Sequence, residues 1–417
     1  MKIVLLNSTN TGGAGIACIR LAEALEKQGH TVNVLVQKEK NGGHRLTTPI
    51  LSSKLSKVPY LLRQKKQDRW LSKYPDKQPM FFSIPLGSSK VYKHPLIVNA
   101  DVVHIHWASD GFISTKDLDT IAKLKGKVFL TFHDMWYMTG GCHYAGTCNK
   151  FMTHCGSCPL LGSTIEHDLT YKIFEEKLAV YPNISLHVIT PSKWMADLAK
   201  QSLLFKDKPI NHIPNCHNFN VFKPIDKREA ANTLRITAEE GKKHVLFGAV
   251  SSVHDTRKGF KYLQEALAIL DQDANFDSNN IELLIFGSSK AELQNELPFK
   301  TTMLGNILSE TMMANVYNMA DVFVAPSLED NLPNTLIEAM GCGTPCVGFN
   351  VGGIPEIIDH KINGYVAEKE NSNDLAEGIK YVISIDNNYA EAAVSKAIST
   401  YSYKKIAQLM MAAYNPK

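Results

Sequence analysis

The stretch VFVAPSLEDNLPNTLIEAMGCGTPCVGF, from Val322 to Phe349, carries the decisive pattern. Val322–Ala325 is a short apolar run stopped by Pro326-Ser327, which predicts a buried strand. Pro333 and Asn334 open a helix over about Thr335–Met340, and Gly341 stands where it ends. Pro345–Phe349 predicts the next strand. Strand, helix and strand in this order form a βαβ unit of a parallel sheet. The first-turn N–H groups of such a helix lack internal partners, and its dipole favours negative charge. A diphosphate fits that end. Glu338 lies one turn inside, where its carboxylate can accept two hydrogen bonds from a ribose diol. The acidic pair Glu329-Asp330 sits in the loop before the helix. The plainer alternative is an ordinary βα unit with solvated acids and capping glycines.

The same pattern extends in both directions. Upstream, Val245–Phe247 and Ile281–Phe286 predict strands, with a helix over Gly259–Leu270 between them. The chain start repeats the scheme. Ile3–Leu6 is a strand, Thr11-Gly12-Gly13-Ala14-Gly15 a tight turn, Ile16 to Gln28 a helix and Val32–Val36 a strand. Val102–Ile105, Val128–Phe132 and His187–Thr190 continue that half, the last as its final strand. The expected architecture is α/β, with two Rossmann-like doubly wound domains facing a central cleft. The expected boundaries are 1–195 for the first domain, with a Cys-rich excursion at about 140–162, and 196–399 for the second. A C-terminal helix over 400–417 is expected to cross back to the first.

Composition narrows the function. With 44% hydrophobic and 21% charged residues in 417, the chain has the make-up of a globular enzyme. A net charge of +4 gives no case for nucleic acid as a partner. The apolar run Ile3–Leu6 is too short for a signal-peptide core, and no stretch approaches the about 20 apolar residues of a membrane span. A cytoplasmic protein is expected. From Lys54 to Lys73 seven cations face one acid, Asp68, with Leu55, Leu61, Leu62, Trp70 and Leu71 interleaved. This reads either as a basic amphipathic helix on anionic lipid, at the inner face of the membrane, or as a solvated helix packed on the first domain.

With Asp330 and Glu338 eight positions apart in an acid-x7-Glu-Ala-Met frame, the decisive segment resembles the signature of glycosyltransferase family 4. Tyr317-Asn318-Met319-Ala320-Asp321, Gly352-Gly353-Ile354-Pro355-Glu356, Asn363-Gly364, Ile213-Pro214-Asn215 and Phe222-Lys223-Pro224 match further family motifs. The resemblance spans nearly the whole chain and is weakest from about Thr47 to Leu96. It implies the GT-B fold and transfer from a nucleotide diphosphate sugar with retention of configuration. It also implies that Asp330 contacts the donor sugar, Glu338 the ribose, and the amides near Asn334 and Thr335 the diphosphate. The chain departs from the family in having Asp330-Asn331-Leu332 where Glu-Gly-Phe is usual, and Cys216 for Gly.

A departing nucleoside diphosphate needs a cation. Lys258, in Arg257-Lys258-Gly259-Phe260, is the first candidate and Arg257 the second; a solvated lysine at a helix start is the alternative. The family's upstream Arg has no counterpart in Gly248-Ala249-Val250-Ser251-Ser252. The resemblance further assigns Gly12-Gly13 to close approach of donor phosphate or acceptor, and His106 and His133 to the donor sugar and acceptor, His133 before His106; an ordinary glycine turn and structural histidines at strand ends are the alternatives. Asp134 is read as the partner that orients His133 and, with His106, as part of the acceptor site. Four of the eight cysteines, Cys142-x5-Cys148-x6-Cys155-x2-Cys158, suggest a structural zinc site, with reduced thiols as the alternative. No Asp-x-Asp sits at a strand end, so catalysis is expected to need no cofactor.

The expected function is hexosyl transfer to a glycan or lipid-linked acceptor in bacterial exopolysaccharide, capsule or lipopolysaccharide synthesis. The rivals are a sugar-nucleotide epimerase of the same architecture and a non-catalytic nucleotide-sugar-binding subunit of a polysaccharide assembly complex.

Overall fold

The structure, a computed structural model, describes residues 1–78, 81–87, 90–237, 239, 241–248, 255–287, 297–384 and 389–415. The cation-free stretch Ala249–Ser252 lies outside them. The chain divides into two compact units, Met1–Cys216 with Ile406–Lys417, and His217–Lys405.

The first unit is built on strands β1 (Lys2–Thr9), β2 (Thr31–Lys38), β3 (Thr47–Pro49), β4 (Val102–Ile105), β5 (Val128–Thr131), β6 (Leu186–Thr190) and β7 (Ile210–His212). They pair in the order β3-β2-β1-β4-β5-β6-β7, all parallel. The second unit holds β8 (Lys243–Gly248), β9 (Ile281–Phe286), β10 (Lys300–Gly305), β11 (Val322–Ala325), β12 (Cys346–Phe349) and β13 (Gly364–Ala367). Its order is β10-β9-β8-β11-β12-β13, again all parallel. Helices alternate with the strands, and a sheet covered on both faces has central strands that are apolar throughout. Ile3 to Leu6 in β1 and Val322 to Val324 in β11 are accordingly buried.

In each sheet the chain builds outward from its first strand to one edge, then returns to build toward the other. The reversal falls between β1 and β4, joined at Ile3↔Val102 and Leu6↔Ile105, and between β8 and β11, joined at Val245↔Val322 and Phe247↔Val324. At such switch points the loops after the two strands diverge and leave a crevice at the carboxyl ends.

The boundary expected between 195 and 196 falls instead between Cys216 and His217. β7 follows the strand expected to be the last, and pairs with it through Val188↔Ile210, holding the linker in the first unit. The C-terminal helix Tyr403–Tyr414 begins later than position 400. From Ile406 onward it belongs to the first unit, burying Ile406, Ala407, Met410 and Tyr414. Among the described residues no helix is long and apolar enough to cross a membrane.

Candidate active site

The loops after β8 and β11 are locked together. Leu328 donates its N–H to the Arg257 carbonyl at 2.7 Å. Gly259, at φ +69°, passes so close to β11 that a Cβ there would lie 1.8 Å from the Pro326 carbonyl oxygen. This contact brings together two residues 72 positions apart: Lys258 Nζ donates to Asp330 Oδ2 at 2.6 Å. Their side chains are 21% and 11% exposed, so the pair is largely desolvated and its charge-assisted bond correspondingly strong. The backbone of Asp330 is clamped from the other side. Gly353 donates to its carbonyl at 3.2 Å, and a Cβ on Gly352 would lie 1.8 Å from the same oxygen.

The helix expected from Thr335 runs Asn334–Gly341, with Pro333 at its N-cap and no side chain capping it. Asn334 and Thr335 form its first turn, directly after the Asp330 loop. Glu338 is 7% exposed, and its Oε2 accepts a hydrogen bond from Tyr317 Oη at 2.8 Å. Tyr317 is fully buried in the helix Glu310–Met319. Sequence reading had placed Tyr317 in a motif without a role, since only packing of the two helices brings phenol and carboxylate together. Arg257, the second candidate cation, has its guanidinium on Asp255 at 2.6 Å, within its own loop. Much of its charge is thereby balanced by Asp255, a residue sequence reading had missed.

In the first unit Gly12 and Gly13 open the helix Gly12–Glu26 right after β1, at the switch point. His106 follows β4, and His133 and Asp134 follow β5. His106 Nδ1 and His133 Nε2 share a hydrogen bond of 2.9 Å. Burial pushes the His133 imidazolium down to about 4, against the opposing pull of Asp134. Burial likewise holds His104 at about 3 and His106 well below the usual histidine range. All three rings are neutral at pH 7 and act as hydrogen-bonding groups rather than cations.

Asp134 acts on His133 through its charge, while its hydrogen bonds go to other groups. Its Oδ2 accepts from Trp107 Nε1 at 2.8 Å and bonds His143 Nδ1 at 2.6 Å, and its Oδ1 accepts the Trp136 N–H at 2.9 Å. His143 Nε2 in turn bonds Ser83 Oγ at 2.8 Å. Burial pushes the Asp134 carboxyl up, but the His143 charge and these hydrogen bonds outweigh it and hold the group below its ordinary value. The carboxylate therefore pins the start of the Cys-rich excursion to the end of β5. His143 directly follows Cys142, the first cysteine of that excursion.

The four cysteines of the excursion are free thiols. Burial raises Cys155 to about 12 and lifts Cys142 and Cys158 as well. Cys155 Sγ accepts the Gly140 N–H at 3.2 Å. Among the described residues, no three His, Cys, Asp or Glu side chains are grouped so as to hold a metal ion.

Two doubly wound parallel sheets in tandem, with loops gathered at both switch points, define a protein of the GT-B fold. Residues 11–220 match the model for glycosyltransferase family 4, and residues 244–384 the model for glycosyl transferases group 1. The chain belongs to glycosyltransferase family 4. N-acetyl-alpha-D-glucosaminyl L-malate synthase of Bacillus anthracis is 21% identical over 97% of this chain and 94% of its own length. An uncharacterised glycosyltransferase of Methanocaldococcus jannaschii is 31% identical over 36% of this chain and 40% of its own length. A putative colanic acid biosynthesis glycosyl transferase of Escherichia coli is 23% identical over 66% of this chain and 65% of its own. The chain thus spans about two fifths of one curated relative, two thirds of another and nearly all of a third. Among solved structures, sucrose-phosphate synthase of Thermosynechococcus elongatus superposes with a TM-score of 0.66 at 18% identity, covering 99% of this chain and 98% of that one. Anabaena HepE, solved with UDP and glucose, gives 0.59 at 16% identity, covering the same shares.

Proposed function

We propose that this protein is a retaining glycosyltransferase that moves a sugar from a nucleoside diphosphate to a hydroxyl of a glycan or lipid-linked acceptor. The observation that carries the reading is the Lys258–Asp330 pair at the second switch point, followed at once by the helix that bears Glu338. The Lys258 ammonium, with three donors, can hold Asp330 and meet the departing phosphate. The Glu338 carboxylate, positioned by Tyr317, accepts from the ribose hydroxyls. The helix start at Asn334 and Thr335 receives the diphosphate.

In the transfer step the acceptor oxygen bonds the anomeric carbon on the face from which the phosphate oxygen leaves. The electron pair of the broken bond goes to the diphosphate, and the acceptor proton follows it to the departing oxygen. The protein contributes position and electrostatics rather than a nucleophile. His133 and His106, neutral and mutually bonded, offer hydrogen bonds to sugar and acceptor. No cofactor enters this step. The relative named in colanic acid biosynthesis supports a place in bacterial polysaccharide assembly.

A second reading, a sugar-nucleotide-binding subunit without turnover, draws on Arg257 being held by Asp255. One experiment separates them. The purified chain is screened against UDP-, GDP- and dTDP-sugars by thermal shift, where a donor at a hundred times its Kd stabilises by about 2.7 kcal/mol. The donor found is then incubated with acceptor in EDTA. A new linkage with the donor's anomeric configuration is expected, and Lys258→Ala should slow its formation by about 10²–10³. An inverted linkage, epimerised donor without acceptor, or binding without turnover would overturn the proposal.

A further inference from the structure

His106 and His133 stand just past the neighbouring strands β4 and β5, yet they are unequally placed. His106 is 2% exposed, whereas His133 is only partly buried. The bond between His106 Nδ1 and His133 Nε2 is 2.9 Å long, with the ring centroids 5.1 Å apart and the planes inclined by 25°. That separation leaves the bond nearly in line with both rings, which is good hydrogen-bond geometry. The His106 ring is held from behind. His104 lies against it at 4.5 Å between centroids, and Tyr137 Oη donates to the His106 carbonyl at 2.8 Å.

Both rings are neutral, so each carries one N–H, and in the bond between them one donates and the other accepts. His106 Nε2 decides which. It is buried and has no hydrogen-bond partner. His106 borders a small pocket with mostly apolar walls, among them Leu21, Ile189, Ile213, Ile406 and Met410. Thr131, which also lines it, has its hydroxyl engaged by His104 Nε2 at 2.7 Å. A proton on Nε2 would be an N–H cut off from water with no acceptor, and orphaned buried N–H groups are rarer than orphaned acceptors. The proton of His106 therefore belongs on Nδ1.

We propose that His106 is a positioning residue: it donates from Nδ1 to His133 Nε2 and thereby fixes His133 with its proton on Nδ1, as a hydrogen-bond donor toward sugar or acceptor oxygens. The opposite pairing would present a lone pair there, a group that takes a proton. A donor suits a transfer in which the departing phosphate oxygen takes the acceptor's proton. The use of this donor rests on the transferase reading; the tautomer does not.

The full chain is prepared with isotope-labelled histidine, and the ring nitrogens are observed by NMR without sugar donor. The His133 signals are those missing from His133→Asn. A protonated Nδ1 and a bare Nε2 are expected on His133. His106→Leu should release it to a mixture of the two forms. His106→Asn, whose amide N–H can lie where Nδ1 does, should restore the single form. In the transfer assay His106→Leu should lower kcat by about tenfold with little change in KM, and His106→Asn should recover most of that loss. A His133 proton on Nε2, an unchanged tautomer in the leucine variant, or equal losses in the two variants would refute the proposal. Where the leucine variant does not fold, the wild-type tautomer and the asparagine variant decide. Absence of transfer with every sugar nucleotide would sink the transferase reading and leave the tautomer standing.

Discussion

Lys258 and Asp330 each had a separate role in prospect, one for the phosphate and one for the sugar, and their 2.6 Å pairing joins those roles. Each group holds the other in place, which is preorganisation of the kind that electrostatic catalysis needs. Glu338 is ordered in the same way by Tyr317. This gives a graded prediction. Glu338→Gln should cripple donor binding, whereas Tyr317→Phe removes one hydrogen bond and should weaken it by about fivefold, the worth of roughly 1 kcal/mol. Titration calorimetry with the donor measures both, and equal losses in the two variants would contradict the positioning role. Asp330, Glu338 and Lys258 were legible because motif residues keep their spacing in the chain. Tyr317 and Asp255 were not, because their partners are set by packing and by loop conformation.

Among elements, the strands that sequence reading found and missed divide by position in the sheet. β1, β2, β4, β5, β6, β8, β9, β11 and β12 were anticipated, and all lie inside their sheets. β3, β7, β10 and β13 were not, and they are the four edges. An interior strand must be apolar on both faces. An edge strand has one neighbour, is short and tolerates polar residues, as the Ile210–His212 and Lys300–Gly305 sequences do. The turn at Gly259 shows how an element boundary sets the site. Gly259→Ala would put a methyl on the Pro326 carbonyl at a positive φ, and should cost about 2–4 kcal/mol while displacing Lys258. Gly241, at φ +83° with nothing within 4 Å, is the control; Gly241→Ala should cost about 1 kcal/mol. Urea unfolding of the two variants gives the comparison, and similar losses would show that the close approach to β11 does not matter.

At the scale of the whole molecule, the buried imidazoles link stability to pH. His104 is held by Thr131 Oγ1 and by Tyr414 Oη, both at 2.7 Å, so the returning C-terminal helix closes over it. The folded chain keeps His104 neutral to about pH 3 and His133 to about 4, whereas unfolded histidines protonate near 6.5. Their contribution to stability is complete above about pH 6.5. It is lost as pH falls toward the folded values, because the unfolded state then binds more protons. Chemical denaturation from pH 7 to 4 should show stability falling, each such histidine contributing up to about 1.4 kcal/mol per pH unit. His133→Asn should flatten the slope; a slope that is flat in the wild type would contradict the burial of these rings.

Composition and spacing by themselves determined that this chain carries two α/β series, where their interior strands lie, and the intervals that single out Lys258, Asp330 and Glu338. Those features are local: apolar runs, turn residues and motif intervals survive in the unfolded chain. Tertiary structure alone decided that Lys258 pairs with Asp330, that Tyr317 bonds Glu338, and that Asp134 hydrogen-bonds His143 and Trp107 while acting on His133 through its charge. It also decided that Gln64 and Gln67 tie the basic helix to Asp110 and Ile84 of the first unit. Each of these depends on which elements pack together, and on the desolvation that packing imposes, neither of which a one-dimensional pattern contains.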